Sequence, residues 1–222
     1  MTNSIISAKN LCLTRHARTL LCDISLSIKA GETTIIMGPN GAGKTLLLSA
    51  LHSLVPIASG TIEIAPNTHQ KMVFQKPILL RRNAKAHFAF ATGLRDEAAI
   101  LSWFECAGIA DKMATSARHL SSGEAQKLAL ISAIATKPDI LFLDEPTANL
   151  DSESRSDVET LITTARHSGT AILMVTHTLA QASRLADNFI YLQGGKIYDN
   201  STAAQFLSGK RSDEASNFLS ER

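Results

Sequence analysis

Cysteine is scarce: Cys12, Cys22 and Cys106 are the only three in the chain. They are odd in number, widely spaced and outside any CxxC pattern, which excludes a disulfide framework and leaves core packing as their expected use. Long apolar runs are missing too. Stretches such as Ala171–Val175 and Ile140–Leu143 fall far short of the roughly 20 residues that a membrane-spanning helix needs. The opening residues, Met1 to Ile6, lack both the basic start and the apolar stretch of a secretion signal, so a cytoplasmic location is expected. No strong charge of either sign is present. A net charge of +2 is too small for the basic stripe that nucleic acid demands, so no nucleic-acid partner is expected.

Repeats, low-complexity tracts and long linkers are also absent from the sequence. What remains, 222 residues with 45% hydrophobic and 19% charged, suits one well-buried α/β domain carrying at most a small helical insertion. A mean hydropathy of +0.05 implies a surface less charged than usual, as a docking face would be.

Apolar alternation predicts strands at 5–13 and 24–28, followed by the buried strand 33–37 after the Gly31-Glu32 turn. A glycine loop and a helix over 46–54 come next, with Pro56 closing the helix. Short strands are expected at 60–64 and 72–74. From 83 to about 136 the strand signal gives way to helix, at 84–91, 96–107 and an Ala-rich segment after 120, which reads as a helical insertion. Strand and helix then alternate: strands at 140–143, 171–175 and 188–192, helices at 152–166 and 179–186. That order predicts a parallel α/β sheet. Gly194-Gly195 marks a hairpin turn into 196–198, and the polar residues 208–222, with an isolated Phe218-Leu219, are expected to form a loosely docked tail.

Two segments carry chemistry. The run Gly38, Pro39, Asn40, Gly41, Ala42, Gly43, Lys44, Thr45 fits GxxxxGK(S/T), and it lies between a strand and a helix as phosphate binding requires. Glycines let the backbone turn its N–H groups onto phosphate oxygens, Lys44 reaches the terminal phosphates, and Thr45 offers a hydroxyl to Mg2+. Asp144 and Glu145 end the apolar strand 140–143, at the carboxyl edge of a parallel sheet where ligands sit. Asp144 is suited to hold the magnesium, and Glu145 to orient or deprotonate an attacking water.

A further segment, Leu120 to Glu124 (LSSGE), has two readings. Ser121 or Ser122 caps the following helix with Glu124 in its first turn. Alternatively, Ser121 and Gly123 present a hydroxyl, backbone donors and the helix dipole to an oxyanion.

Taken together, these residues resemble the nucleotide-binding subunits of ABC transporters, and the resemblance covers nearly the whole chain. Gly38 to Thr45 matches the Walker A loop, Gln75 the Q-loop, Leu120 to Glu124 the LSGGQ signature and Ile140 to Glu145 Walker B. Ala148 to Asp151 matches the D-loop and His177 the switch histidine. The resemblance implies a single domain over residues 1–222: a P-loop NTPase core of mostly parallel sheet with flanking helices, an antiparallel β subdomain and the inserted helical subdomain. It implies ATP and Mg2+ as cofactors, and catalytic roles for Lys44, Gln75, Glu145 and His177. Thr45, Gln75 and Asp144 would serve the metal, and Asp151 the nucleotide.

The same likeness implies a head-to-tail dimer in which Ser121 and Gly123 of one copy touch the γ-phosphate held by Lys44 of the other. It further implies membrane permease subunits docked on the helical insertion, a separate solute-binding protein, and a peripheral position on the cytoplasmic membrane face. Two departures stand out. Ser122 and Glu124 replace a glycine and the glutamine of LSGGQ, adding negative charge near the partner's nucleotide. The aromatic residue that stacks on adenine is missing, leaving His16 or Arg15 as substitutes.

Among relatives of this kind, the sequence from Val73 to Arg82 and the short insertion look most like small bacterial importer ATPases of the tungstate or oxyanion type. Amino-acid and phosphate importers are the alternatives. Arg81, Arg82 and Lys85 either meet the transmembrane partner or form a solvated cluster. A soluble ABC-type ATPase acting on translation or DNA is the competing class. The chain has neither the second head nor the long coiled coil that such proteins carry.

Overall fold

The structure, a computed structural model, describes residues 4–220; Met1 to Asn3, part of the stretch read as unlike a secretion signal, and the last two residues of the expected tail lie outside the described residues. Strands β1 (Ser4–Arg15) and β2 (Arg18–Lys29) form an antiparallel hairpin, and β4 (Ser59–Ile64) pairs with the other edge of β1. The second sheet runs in the order β5 (Gln70–Val73), β6 (Ile140–Asp144), β7 (Ala171–Val175), β3 (Thr33–Met37), β8 (Asn188–Gln193), β9 (Lys196–Thr202). All its neighbours are parallel except the β8/β9 hairpin.

Both faces of the central strands are covered, which explains why they read as unbroken apolar runs. Ile35, Leu141, Leu143, Ile172 and Met174 point into one core, while Ile36, Ile140, Phe142, Leu173 and Val175 point into the other. Helix α1 (Lys44–Leu51) fills the second core, with Leu47, Leu48, Ala50 and Leu51 buried between the central sheet and residues of the β1/β2 hairpin. That packing aims the N-terminus of α1 at the loop leaving β3.

The first core is roofed by α5 (Ser152–His167), α6 (Leu179–Leu185) and the helical insertion: α2 (Ala84–Thr92), α3 (Glu97–Cys106), the 3-10 turns Ala110–Lys112 and Ala117–His119, and α4 (Ser122–Ile134). Asn83 and Asp96 cap α2 and α3 by accepting N–H bonds from Ala86 (2.7 Å) and Ala98 (3.0 Å). The insertion is closed at its base, where Ala84 donates to the Thr115 carbonyl (2.9 Å) and Ala117 to that of Arg82 (2.8 Å). Phe88 and Phe104, both fully buried, meet edge to face at 5.5 Å and hold α2 on α3.

Five expectations change. Helix α1 spans Lys44–Leu51 rather than 46–54 and ends at His52, before Pro56 is reached. Strand β2 begins at Arg18, not at 24, because its ladder with β1 continues through Arg15 and Arg18 beyond the apolar alternation. Strand β9 extends to Thr202 for the same reason, paired along β8. The cysteines are not core residues: Cys106 is exposed at the end of α3, and Cys12 and Cys22 are half-buried on the β1/β2 hairpin. The tail is not loosely docked. Helices α7 (Ala203–Leu207) and α8 (Asp213–Ser220) place Phe206 flat against Phe189 at 4.4 Å and Phe218 against Tyr191 at 5.5 Å. Ala215, Phe218 and Leu219 are one apolar stripe at helical spacing, so the isolated pair in the sequence was half of a docking face.

Candidate functional site

Gly38 follows the end of β3, and its φ of +148° and contact with the Leu192 carbonyl leave no room for a side chain: an added Cβ would lie 1.9 Å from that oxygen. The loop then curls to Lys44 at the start of α1. Lys44 is 6% exposed, and its ammonium donates to the carbonyls of Gly38 and Pro39, both at 2.9 Å. Those two bonds offset the unfavourable placement of a cation at a helix N-terminus and tether the side chain over the loop.

Next to it, the Thr45 hydroxyl donates to Asp144 Oδ1 at 3.0 Å, joining two residues 99 positions apart. Asp144 is buried, and burial pushes its carboxyl above the ordinary range, opposed by the Thr45 hydrogen bond and aided by the neighbouring Glu145 charge. Glu145 leaves β6 at φ +48°, a left-handed conformation that costs a residue with a side chain about 1 kcal/mol or more. Its amide is fixed by the Val175 carbonyl at 3.0 Å. Its carboxylate is held from both sides, accepting from Gln75 Nε2 at 3.2 Å and pairing through Oε1 with His177 Nε2. So Lys44, Thr45, Gln75, Asp144, Glu145 and His177, spread over 134 positions of sequence from Lys44 to His177, form one continuous cluster.

The cleft beside the loop measures about 410 Å³ and is lined by Asn40, Gly41, Gly43, Lys44, Thr45, Leu46, Glu145 and Leu20. His16 is not part of it. It lies exposed at the β1/β2 turn with φ +47°, and the apolar surface at the cleft mouth is that of Leu20.

Ser121, Gly123 and Asp151 line none of this cleft and form a second cluster. Ser121 caps α4: its hydroxyl accepts from the Glu124 amide (3.2 Å), and Glu124 Oε2 accepts from the Ser121 amide (2.8 Å). Asp151 caps α5, accepting from the amide (2.8 Å) and hydroxyl (3.0 Å) of Ser154. Gly123 joins the two caps. It rests on Ser154 so closely that an added Cβ would stand 2.6 Å from the Ser154 hydroxyl. An ion pair between buried Lys127 and Asp157 locks α4 to α5 one turn further along.

The comparisons with known proteins bear on this arrangement. A family model described as "ABC transporter" matches residues 21–148, more than half of the chain. The chain belongs to the ABC transporter family. Like other ATPases of that family, it binds ATP and hydrolyses it to ADP and phosphate. It is 35% identical over 205 residues to "Tungstate uptake system ATP-binding protein TupC" of Peptoclostridium acidaminophilum, covering 86% of this chain and 96% of that one. It is 31% identical over 231 residues to "Phosphate import ATP-binding protein PstB 2" of Natronomonas pharaonis, covering 90% and 81%. A solved structure titled "Structure of ATP binding subunit of ABC transporter" superposes with a TM-score of 0.85 at 23% identity, over 98% of this chain and 99% of that one, and shows the shared fold. Among the described residues of this ABC ATPase, no helix is long and apolar enough to cross a membrane.

Motif reading missed several residues near the site. Leu20 carries no motif and lines the cleft only because the β1/β2 hairpin folds over the phosphate loop. Gln181, fully buried, accepts from Thr147 (3.1 Å) and Thr176 (2.7 Å) and donates to Glu159 (3.1 Å), tying the turn after Glu145 to the strand before His177. A lone glutamine in an ordinary helix gives no signal for such a role. Lys112 and Ser154 were equally silent.

Proposed function

We propose that this chain is the ATP-binding and hydrolysing subunit of an ABC importer, energising uptake of tungstate or a related oxyanion through a membrane permease. The work is done by closure of a head-to-tail dimer on ATP. The observation carrying the catalytic part is the double grip on Glu145 by Gln75 and His177 beside the Lys44 loop. A carboxylate fixed at both oxygens is positioned to orient a water and take its proton. His177 and Gln75 then act by holding Glu145 and by meeting the γ-phosphate.

In this reading the N–H groups of residues 38–45 receive the phosphates and Lys44 neutralises the terminal ones. Thr45, Asp144 and the Gln75 amide oxygen are hard oxygen donors. Such a set fits Mg2+, which takes one or two carboxylates and completes its shell with water and substrate phosphates. When bound, the ion would neutralise charge on the β- and γ-phosphates. Leu20 offers an apolar surface to the base in place of His16.

Ser121 and Gly123 serve the γ-phosphate of the partner copy, and Asp151 lies beside them at the same dimer face. The insertion supplies the permease contact, supported by exposed Ile78 and Phe90, 86% and 61% accessible, beside the segment that follows Gln75. Arg82 lies over the Phe90 ring at 4.8 Å and Lys85 pairs with Glu97, so part of the basic cluster is already engaged within the subunit. A solute-binding protein outside the membrane and a peripheral place on its cytoplasmic face complete the proposal. The identity to the tungstate and phosphate relatives supports oxyanion cargo, with amino-acid import as the alternative.

Glu145→Gln should leave ATP binding intact, lower turnover by roughly 10²- to 10⁴-fold and accumulate a dimer. Unaltered turnover would remove Glu145 from its role. Copurification with a permease, followed by uptake assays with tungstate, molybdate and phosphate, tests the cargo. Saturable uptake of phosphate alone would replace tungstate in the proposal.

A further inference from the structure

The α4 N-terminus carries a charge that its proposed task does not want. A helix start offers an anion roughly +0.5 of a charge, and a full negative charge in the first turn more than cancels it. Glu124 places that negative charge three residues after the cap. In the structure the carboxylate is folded back: Oε2 accepts from the Ser121 amide at 2.8 Å, and Oε1 lies 3.4 Å from the Lys112 ammonium. Lys112 belongs to the 3-10 turn Ala110–Lys112, outside α4, and also pairs with Asp111 at 3.0 Å. Asp111 is 70% exposed against 24% for Glu124, so water screens its charge more strongly.

We propose that Lys112 is a positioning residue of the composite ATP site: it pins Glu124 against the α4 cap and restores a net positive first turn that can receive the triphosphate of the partner copy. This rests on the head-to-tail dimer proposed above. The charge count supports it for the groups at the α4 start: helix start plus Glu124 sums to about −0.5 and Lys112 returns it to about +0.5, while Asp111, the nearer partner of Lys112 at 3.0 Å, is discounted only because its carboxylate is exposed and screened. The donors support it too. The Ser121 hydroxyl is held in place by the Glu124 amide that it accepts, and the first-turn amides of Ser122 and Gly123 have no intrahelical acceptor. The Glu124 carboxyl is held below its ordinary range, first by the Ser121 amide and then by Lys112, so the charge being balanced persists at working pH.

The test uses Glu145→Gln protein, in which ATP-dependent dimers accumulate and are read by light scattering against ATP concentration. Adding Lys112→Ala should raise the half-saturating ATP concentration by about fivefold, and adding Glu124→Gln to that protein should bring it back to within about twofold. Thermal midpoints of all variants should agree, which separates positioning from folding; Lys112→Gln is the milder variant if alanine unsettles the turn. If Glu145→Gln protein forms no dimer with ATP, the dimer reading falls and the proposal with it. Dimers that form at the same ATP concentration with and without Lys112 overturn the proposal alone. A Lys112→Ala defect that Glu124→Gln does not repair also overturns it, because Lys112 would then act through some other group.

Discussion

The phosphate-loop cleft and the start of α4 handle their polar groups in opposite ways. In the cleft, Lys44 and Asp144 are both 6% exposed; loop carbonyls tether Lys44, and Thr45, 99 positions away, fixes Asp144. At α4, Ser121 and Glu124 satisfy each other within three residues at the protein surface. A site completed inside one subunit can be preorganised by burial. A surface element proposed to meet a second copy has to satisfy itself locally, and a capping box does so with groups that still face outward. Under the proposed head-to-tail dimer, changes in the cleft should act within a subunit and changes at α4 on the site of the other copy.

The largest expected break is at the cleft. Lys44→Ala should weaken ATP binding by about 10- to 100-fold, the loss of charge-assisted bonds to phosphate, measured by equilibrium dialysis on the isolated subunit. Equal affinity would detach the loop from nucleotide binding.

A smaller effect sharpens the α4 side. Gly123→Ala should lower turnover by about tenfold, because its Cβ meets Ser154 and overpacking of this kind costs about 1–3 kcal/mol. Pairing it with Ser154→Gly separates two causes. Recovery in the double variant assigns the loss to the contact between the two caps, whereas no recovery assigns it to obstruction of the partner's nucleotide.

The smallest effect concerns neither site. Burial lowers the affinity of His52 and His87 for protons below the ordinary 6.5, with Lys71 adding to the effect at His52 and Arg82 at His87. The unfolded chain therefore takes up protons first as the pH falls, and stability declines from about pH 6.5 downward through the depressed folded values. His87→Gln should flatten the fall in thermal midpoint between about pH 6.5 and 5; an unchanged slope would show that this ring is not the cause.

Much of the fold was legible because the central strands are buried on both faces and so are apolar without interruption, as at Ile140–Leu143 and Ala171–Val175. The edges were not. The beginning of β2 and the end of β9 are held by ladder hydrogen bonds, which any side chain permits, and Phe218 needed the presence of Tyr191 to make sense. The same division runs through the site. The phosphate loop reads from local spacing because its chemistry is backbone geometry, and Gln75 and His177 became readable only through likeness to a family. Leu20, Lys112, Ser154 and Gln181 depend on which elements the fold brings together, a relation that no spacing records.

The proposed shared pocket is tested most directly by mixing two defective proteins, Ser121→Arg and Lys44→Ala. Each alone should be nearly inactive in ATP hydrolysis. A mixed dimer, however, keeps one intact site, built from the loop of the first chain and the α4 start of the second, so equal parts should recover roughly a quarter of normal turnover by random pairing. If the mixture stays as inactive as its components while Glu145→Gln in both chains still yields dimers, the two half-sites do not meet across the interface.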